Sequence, residues 1–125
     1  MTTRLGSALA SCITPGFAVL VALFACEVLG QQFPSRPIRI VVAFPPGGPS
    51  DYAARVISAK LPEFFGQQVI VDNRAGAAGT LGADLVARAA PDGYTTLIAN
   101  TGMLTILPHL QKVPYDPFSD FTPIT

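Results

Sequence analysis

The residues with the clearest chemical potential form one turn, residues 44–51, with the sequence FPPGGPSD. Gly47 and Gly48 leave the backbone bare, so a ligand can approach its N–H groups closely. A helical pattern opens at Ser50, which suits an N-cap, and Asp51 suits a helix-end role in the first turn. A helix start offers unpaired N–H donors and about half a positive charge, which together attract an anion. The turn predicts a seat for a carboxylate or phosphate, with a purely structural strand-to-helix turn as the alternative.

The elements that position this turn follow from the hydrophobic pattern. Apolar runs predict strands at 38–44, 69–71 and 94–99. The first run is apolar nearly throughout, which is typical of a strand that is covered on both faces of a parallel sheet. One helical pattern opens at Asp51 and a second covers residues 81–90. The order β-α-β-α-β predicts an α/β fold with a parallel sheet.

Each predicted helix has an apolar face that we expect to point into the core. The first helix should end at Pro62 or one turn later, where Gly66 closes it. A third, short helix at 103–110 should break at Pro108. The expected inward residues are Ala53, Val56, Ile57 and Leu61 on the first helix, with Phe64 and Phe65 as core anchors, and Leu81, Leu85, Val86 and Ala89 on the second.

Three polar or glycine-rich loops follow the carboxyl ends of the predicted strands, at 45–50, 73–80 and 100–102. In a parallel sheet these loops gather at one edge, where open α/β sheets bind ligands next to the topological switch point. We therefore expect an anion-binding site there. Its candidate ligand-binding residues are Phe44, Pro46, Gly47, Gly48, Ser50, Asp51, Asn100, Thr101 and Gly102.

The sequence lacks the motifs of enzymatic, metal, cofactor and nucleic-acid sites. No Gly-Lys-Ser/Thr follows the first glycine pair, and the spacing of Gly76, Gly79 and Gly82 misses the dinucleotide fingerprint. With one histidine, His109, and no cysteine after residue 26, the chain has no zinc ligand set. Eight acidic and eight basic side chains give zero formal net charge, which argues against a nucleic-acid partner. We predict no catalytic residue, no metal and no cofactor.

Residues 1–30 have the pattern of a secretory signal peptide, with an apolar stretch at 17–25. This stretch is too short for the ~20 apolar residues of a membrane span. Cleavage after Gly30 would leave residues 31–125 as the mature chain in the periplasm. The segment that ends at Cys26 is similar to a lipobox, so a lipoprotein is the alternative.

Several segments of the mature chain, taken in order, match the pattern of one protein family. They are Pro34-Ser35-Arg36-Pro37-Ile38, Phe44-Pro45-Pro46-Gly47-Gly48 with Asp51, Gly66-Gln67, Asn73-Arg74-Ala75-Gly76, Ala90-Pro91-Asp92-Gly93-Tyr94-Thr95 and Pro114-Tyr115-Asp116-Pro117. Through these segments the chain resembles the substrate-binding proteins of tripartite tricarboxylate transporters, the Bug or TctC-like periplasmic receptors. The resemblance covers essentially all residues after Phe33.

This resemblance implies a type II periplasmic-binding-protein fold, a two-lobed Venus flytrap that closes on a small carboxylated metabolite. Such a protein is no enzyme, and it passes its ligand to membrane permease subunits. In the family, the Pro-Pro-Gly-Gly turn grips a ligand carboxylate through backbone amides and ordered water. This chain departs from the family pattern at Ala78, where a glycine is usual, and at Leu107, where an asparagine is usual.

Family members are about two domains long, and this chain ends without a helix cap or charged tail. We therefore expect a truncated chain in which residues 31–125 form the N-terminal part of lobe one. Two other functions stay open at this point. One is an α/β enzyme that binds a phosphate or nucleotide through its glycine-rich loops, and the other is a non-functional fragment.

Overall fold

The computed structural model describes residues 32–124, so the predicted leader and its cleavage point lie outside the described residues. Its sheet consists of three parallel strands, β1 (Ile38–Val42), β2 (Val69–Asn73) and β3 (Thr95–Ile98). β1 lies in the middle, in the order β2-β1-β3. The α/β fold with a parallel sheet is therefore confirmed. β1 and β3 are each two residues shorter than their predicted runs, and β2 is two residues longer.

Helical segments alternate with the strands. α1 (Pro49–Phe65) connects β1 to β2, and a 3₁₀ turn (Ala77–Gly79) leads into α2 (Thr80–Ala87) before β3. After β3, a π-helical segment (Gly102–Ile106) continues directly into α3 (Leu107–Leu110). None of the helices in the described part of the chain is both long and apolar enough to cross a membrane.

The start of α1 differs from the predicted one, whereas its end agrees with one of the two predicted ends. Gly48, and not Ser50, is the N-cap, because Pro49 occupies the first helical position, where its fixed φ and missing N–H cost nothing. The helix continues for one turn beyond Pro62. It ends at Gly66, whose left-handed φ of 65° and N–H bond to the Pro62 carbonyl (2.9 Å) confirm the predicted closure.

The predicted break at Pro108 is wrong. Pro108 is the second residue of α3, a position at which the missing N–H would have no partner within that helix. The turn before it is π-helical, and the Leu107 N–H donates to the Gly102 carbonyl across five residues. The helical stretch is therefore continuous from Gly102 to Leu110.

Alternate residues of β1 face opposite sides of the sheet and enter two core clusters. On one side, Ile40 and Val42 pack with Ala54 of α1. On the other side, Ala43, the residue directly after β1, packs with Ala83 of α2. Four of the five strand residues are buried, so the prediction that this strand is covered on both faces is confirmed.

The predicted inward face of α1 is confirmed at Leu61, which packs against the cluster of Ile40, Val42 and Ala54, but it is wrong at Ala53, Val56 and Ile57. Val56 and Ile57 are 51% and 46% exposed, and Phe64, expected as a core anchor, is 80% exposed. The buried residues of α1 are Asp51 and Ala54. The small Ala54 allows α1 to pack closely on β1 at this point, and Leu61 packs against the same cluster.

The same reason applies to α2. Leu81, predicted to face inward, is 59% exposed, whereas Gly82 and Ala83 are buried. A Cβ at Gly82 would lie 2.9 Å from the Ala43 Cα atom. Glycine therefore allows α2 to approach the carboxyl end of β1 at backbone distance.

Candidate functional site

The candidate site lies at the carboxyl edge of the sheet, between the ends of β1 and β3. The chain adds β2 on one side of β1 and β3 on the other, so the topological switch point falls between β1 and β3. The turn after β1 and the residue that opens the β3 loop enclose a depression of about 670 Å³ there. The depression is lined by Phe44, Pro45, Pro46, Gly47, Gly48, Pro49, Ser50 and Asn100.

The two glycines of the turn have different roles. Gly47 has a φ of +85°, the left-handed region that favours glycine, whereas Gly48 is extended with φ −83° and ψ 172°. A Cβ at Gly48 would meet only the Pro45 carbonyl oxygen, at 3.6 Å, which is ordinary van der Waals contact. Only Gly47 is needed for the backbone conformation, so a side chain at Gly48 would change access to the turn rather than its shape.

The turn leaves a group of backbone donors free. The Gly47 N–H donates to the Asp51 carboxylate at 2.8 Å, so it is not available to a ligand, contrary to the simplest interpretation of the glycine pair. Within residues 32–124, the N–H groups of Gly48, Ser50 and Asp51 have no acceptor. These three donors lie at the start of a 17-residue helix, whose dipole adds positive potential. The arrangement can bind an anion.

Asp51 lies beneath the turn and organises it. The side chain is buried (the residue is 3% exposed) and accepts hydrogen bonds from Arg55 Nε at 3.0 Å, from the Gly47 N–H and from Asn73 Nδ2 at 3.0 Å. The hydrogen bond from Arg55, followed by those from Gly47 and Asn73, lowers the Asp51 pKa from 3.8 to about 2. The expected helix-end role is therefore too narrow, because this ionised carboxylate connects the turn to α1 and β2.

Asn100 faces the turn from the other side of the depression. Its Oδ1 accepts the Met103 N–H at 2.9 Å, which holds the side chain at the start of the π-helical segment. The Asn100 Nδ2 group has no acceptor among the described residues, so it can donate a hydrogen bond to a ligand. Unlike Asn100, Thr101 and Gly102 do not line the depression, and the Thr101 carbonyl accepts the Thr105 hydroxyl.

The structure therefore brings together most of the predicted site residues but not all of them. Asp51, Thr101 and Gly102 lie outside the lining of the depression. The predicted site residues that do line it are Phe44, Pro46, Gly47, Gly48, Ser50 and Asn100.

The third loop, residues 73–80, contributes in a way that the sequence did not reveal. It does not line the depression, but Asn73 donates from Nδ2 to the Phe44 carbonyl oxygen at 3.2 Å as well as to Asp51. At the end of the loop Gly79 is buried, and a Cβ there would lie 2.6 Å from the Met103 sulfur atom. The signal for Asn73 was its place at the end of the strand next to β1.

The described part of the chain contains no recognisable metal-binding site. No group of three or more His, Cys, Asp or Glu side chains in residues 32–124 could hold a metal ion. His109 is exposed and lines a separate depression formed by α3 and the residues after it.

Comparison with known proteins gives one consistent family. The family model described as "Tripartite tricarboxylate transporter family receptor" matches residues 53–125, more than half of the chain. A protein from Pseudomonas sp. (strain P51), described as a UPF0065 protein in the tcbD-tcbE intergenic region, is 54% identical over 94 residues, which cover 75% of this chain and 28% of that protein.

Two solved structures are also similar. The periplasmic binding protein BugD is 43% identical with a TM-score of 0.69, over 74% of this chain and 31% of BugD. MatC from Rhodopseudomonas palustris, with bound malate, is 39% identical with a TM-score of 0.65, over 74% of this chain and 32% of MatC. The chain thus spans about a third of the length of the relatives that it matches.

Proposed function

Because the chain belongs to the receptor family of tripartite tricarboxylate transporters, we propose that it carries the carboxylate seat of a receptor for a small organic acid. The resemblance predicted from the sequence is confirmed at the level of the family, which is one of solute-binding receptors and not of enzymes. The observation that supports the proposal is the set of three free N–H groups, at Gly48, Ser50 and Asp51, beside the depression.

The binding step follows from these donors. A ligand carboxylate accepts hydrogen bonds from the N–H groups of Gly48 and Ser50, and each charge-assisted bond contributes about 1.5–3 kcal/mol. The Asn100 Nδ2 group supplies a donor from the opposite wall. Arg55 pairs with Asp51 at 3.0 Å and offsets its negative charge, so the helix dipole still favours an anion at the turn.

The lining also indicates the ligand class. None of the lining residues is charged, and Phe44 with the three prolines forms an apolar wall. A neutral, partly apolar pocket with a few convergent donors suits a small organic acid with a short carbon skeleton. MatC, with bound malate, is consistent with this class. A nucleotide-binding enzyme is the weaker alternative, because no His, Cys or carboxylate lines this depression to serve as a base.

We further propose that residues 1–30 direct the protein to the periplasm, where it delivers its ligand to the transporter's permease subunits. In this proposal residues 31–125 form the N-terminal part of the first lobe, and a second lobe completes the ligand cavity. Mass spectrometry of the exported protein tests the first point, with Gln31 expected as the first residue. A diacylated Cys26 would indicate the lipoprotein instead, and a mature chain that begins at Met1 would contradict export.

The proposed ligand class can be tested by calorimetry on the full-length protein. Malate and unbranched dicarboxylates of increasing length are titrated at pH 7, each beside its neutral diamide as a control of the same shape. We expect at least one acid to bind with a micromolar or lower Kd and its diamide to bind at least a hundredfold more weakly. Equal affinity for an acid and its diamide would exclude a carboxylate seat.

A further inference from the structure

Asn73 stands beside the anion-binding turn although it is distant in sequence. It is the last residue of β2 and pairs with Val42, the last residue of β1. The Arg74 N–H then donates to the Val42 carbonyl at 2.8 Å, which fixes the strand register up to the point where the turn begins. The side chain of Asn73 is therefore delivered to the turn by two hydrogen-bonded strands.

One side-chain amide bridges both ends of the turn. Asn73 Nδ2 donates to the Phe44 carbonyl oxygen (3.2 Å), where the turn opens, and to Asp51 Oδ1 (3.0 Å), where α1 has begun. The other carboxylate oxygen of Asp51 accepts the Gly47 N–H (2.8 Å) in the middle of the turn. The two side chains thus bond to each other and to the backbone at two points, the Phe44 carbonyl and the Gly47 N–H.

We infer that Asn73 is a positioning residue for the carboxylate seat: its amide fixes the turn so that the Gly48 and Ser50 N–H groups converge on the ligand. The inference rests on the proposed function. It deepens that function, because it assigns the shape of the seat to a residue that does not line it.

The chemistry of this position calls for an amide. The Nδ2 group supplies two hydrogens, one for each acceptor that it meets. An aspartate at position 73 would supply none, and it would face the ionised Asp51 at the same short distance. Arg55 is the cation that contacts both residues, at 3.0 Å to Asp51 and in a long contact of 3.5 Å to Asn73 Oδ1.

The test compares three variants of the full-length protein. Asn73→Ala removes both hydrogen bonds, and Asn73→Asp also adds a charge. Ala75→Asp is the matched control, because it adds the same charge at an exposed position of the same loop without removing a contact. Calorimetry with malate, or with the tightest acid of the dicarboxylate series, gives the affinity. Exchange of the Gly47 amide hydrogen, compared with that of the Val41 amide in the core of β1, reports the turn without any ligand.

We expect about tenfold weaker binding for Asn73→Ala, about a hundredfold for Asn73→Asp, and a change within about twofold for Ala75→Asp. The Gly47 amide should exchange at least about tenfold faster in both Asn73 variants, while the Val41 amide keeps its protection. Wild-type affinity in Asn73→Ala, or an unchanged Gly47 amide, would overturn the inference. Equal acceleration at Val41 would also overturn it, because the role would then be structural only.

The control separates charge from geometry. If Ala75→Asp weakens binding as much as Asn73→Asp does, repulsion of the ligand explains the effect and the inference fails. If the unaltered protein binds none of the acids, the proposed function fails, while the exchange of the Gly47 amide still decides whether Asn73 holds the turn.

Discussion

The two edges of the sheet treat their polar groups in opposite ways. At the amino edge, four residues bond to one another: Ser35, Arg36, Asp92 and Tyr94. The Ser35 N–H donates to the Tyr94 hydroxyl at 2.8 Å, Arg36 pairs with Asp92 at 2.7 Å, and the Arg36 guanidinium lies 4.3 Å from the centre of the Tyr94 ring. The Phe33 ring also packs against the Tyr94 ring, with 5.0 Å between the ring centres.

At the carboxyl edge, the N–H groups of Gly48, Ser50 and Asp51 have no acceptor among the described residues. Both edges contain segments through which the chain resembles its family, so the presence of a motif does not separate fold from function. The two edges differ in hydrogen-bond satisfaction: a closed network stabilises the fold, whereas donors without an acceptor can bind a ligand. Substitutions at the two edges should therefore have different consequences.

The largest effect is expected for Gly48→Val at the carboxyl edge. Valine can adopt φ −83° and ψ 172°, and its Cβ has room, but its methyl groups would cover the free N–H donors. We expect more than about a hundredfold loss of affinity for the carboxylate ligand in calorimetry. Because valine is a poorer N-cap than glycine, the free energy of unfolding should fall by about 1 kcal/mol, which leaves the protein folded. A folded variant with unchanged affinity would remove the turn from the site.

The matching substitution at the amino edge, Gly93→Ala, should act on stability instead. Gly93 has a φ of +80°, and a Cβ would lie 3.2 Å from the Phe33 ring. The left-handed conformation alone costs alanine about 1–2 kcal/mol. Denaturant unfolding should show that loss, while the folded protein keeps its ligand affinity. A variant that loses affinity but not stability would reverse the assignment of the two edges.

This contrast also shows what the sequence can and cannot predict. The strand, the turn and the helix follow from an apolar run, two prolines, two glycines and a helical pattern in adjacent residues. The N-cap was predicted at Ser50 but lies at Gly48, because Pro49 is preorganised for the first helical position. The donors left free depend on which N–H the Asp51 carboxylate accepts, and local pattern does not specify that bond.

The predictions failed where close packing or strand pairing decides. Ala54 and Leu61, rather than Val56, face the sheet, because the packing of α1 against the strands decides which side of the helix is buried. Asn73 was recognised only as a strand end, since its partners Phe44 and Asp51 are 29 and 22 residues away along the chain. Such contacts follow from the register between β1 and β2, which hydrophobic periodicity alone does not specify.

A pH experiment tests whether the carboxyl edge depends on an ionised Asp51. Its pKa is lowered to about 2 in the folded protein, so the unfolded chain binds more protons than the folded one between about pH 4 and pH 2. The stabilisation from Asp51 is complete above about pH 4 and disappears as the pH falls through 2. We expect the difference in Tm between the unaltered protein and Asp51→Asn to shrink across this window. A difference that is constant from pH 6 to pH 2 would contradict the prediction.

The two edges also differ in which residue types adopt the left-handed backbone conformation. The amino edge uses Gly93, for which a positive φ costs little. The carboxyl edge places four consecutive residues at positive φ before α2, and two of them are the alanines Ala77 (48°) and Ala78 (55°). Strain of this kind persists only where the surrounding structure enforces it, and it is concentrated at functional sites.

The smallest expected effect is the release of this strain by Ala78→Gly. The left-handed region costs alanine about 1–2 kcal/mol, and glycine avoids this cost. Glycine also has greater freedom in the unfolded chain, which lowers the stability of the folded protein by about 0.5–1 kcal/mol. Because Ala78 is exposed, no packing is lost, and the net result should be stabilisation by about 0.5 kcal/mol in denaturant unfolding. The matched control, Ala53→Gly at an exposed position within α1, should destabilise by about 1 kcal/mol. Opposite signs for the same substitution would show that strain is located at the carboxyl edge, whereas a loss at both positions would show that the loop stores none.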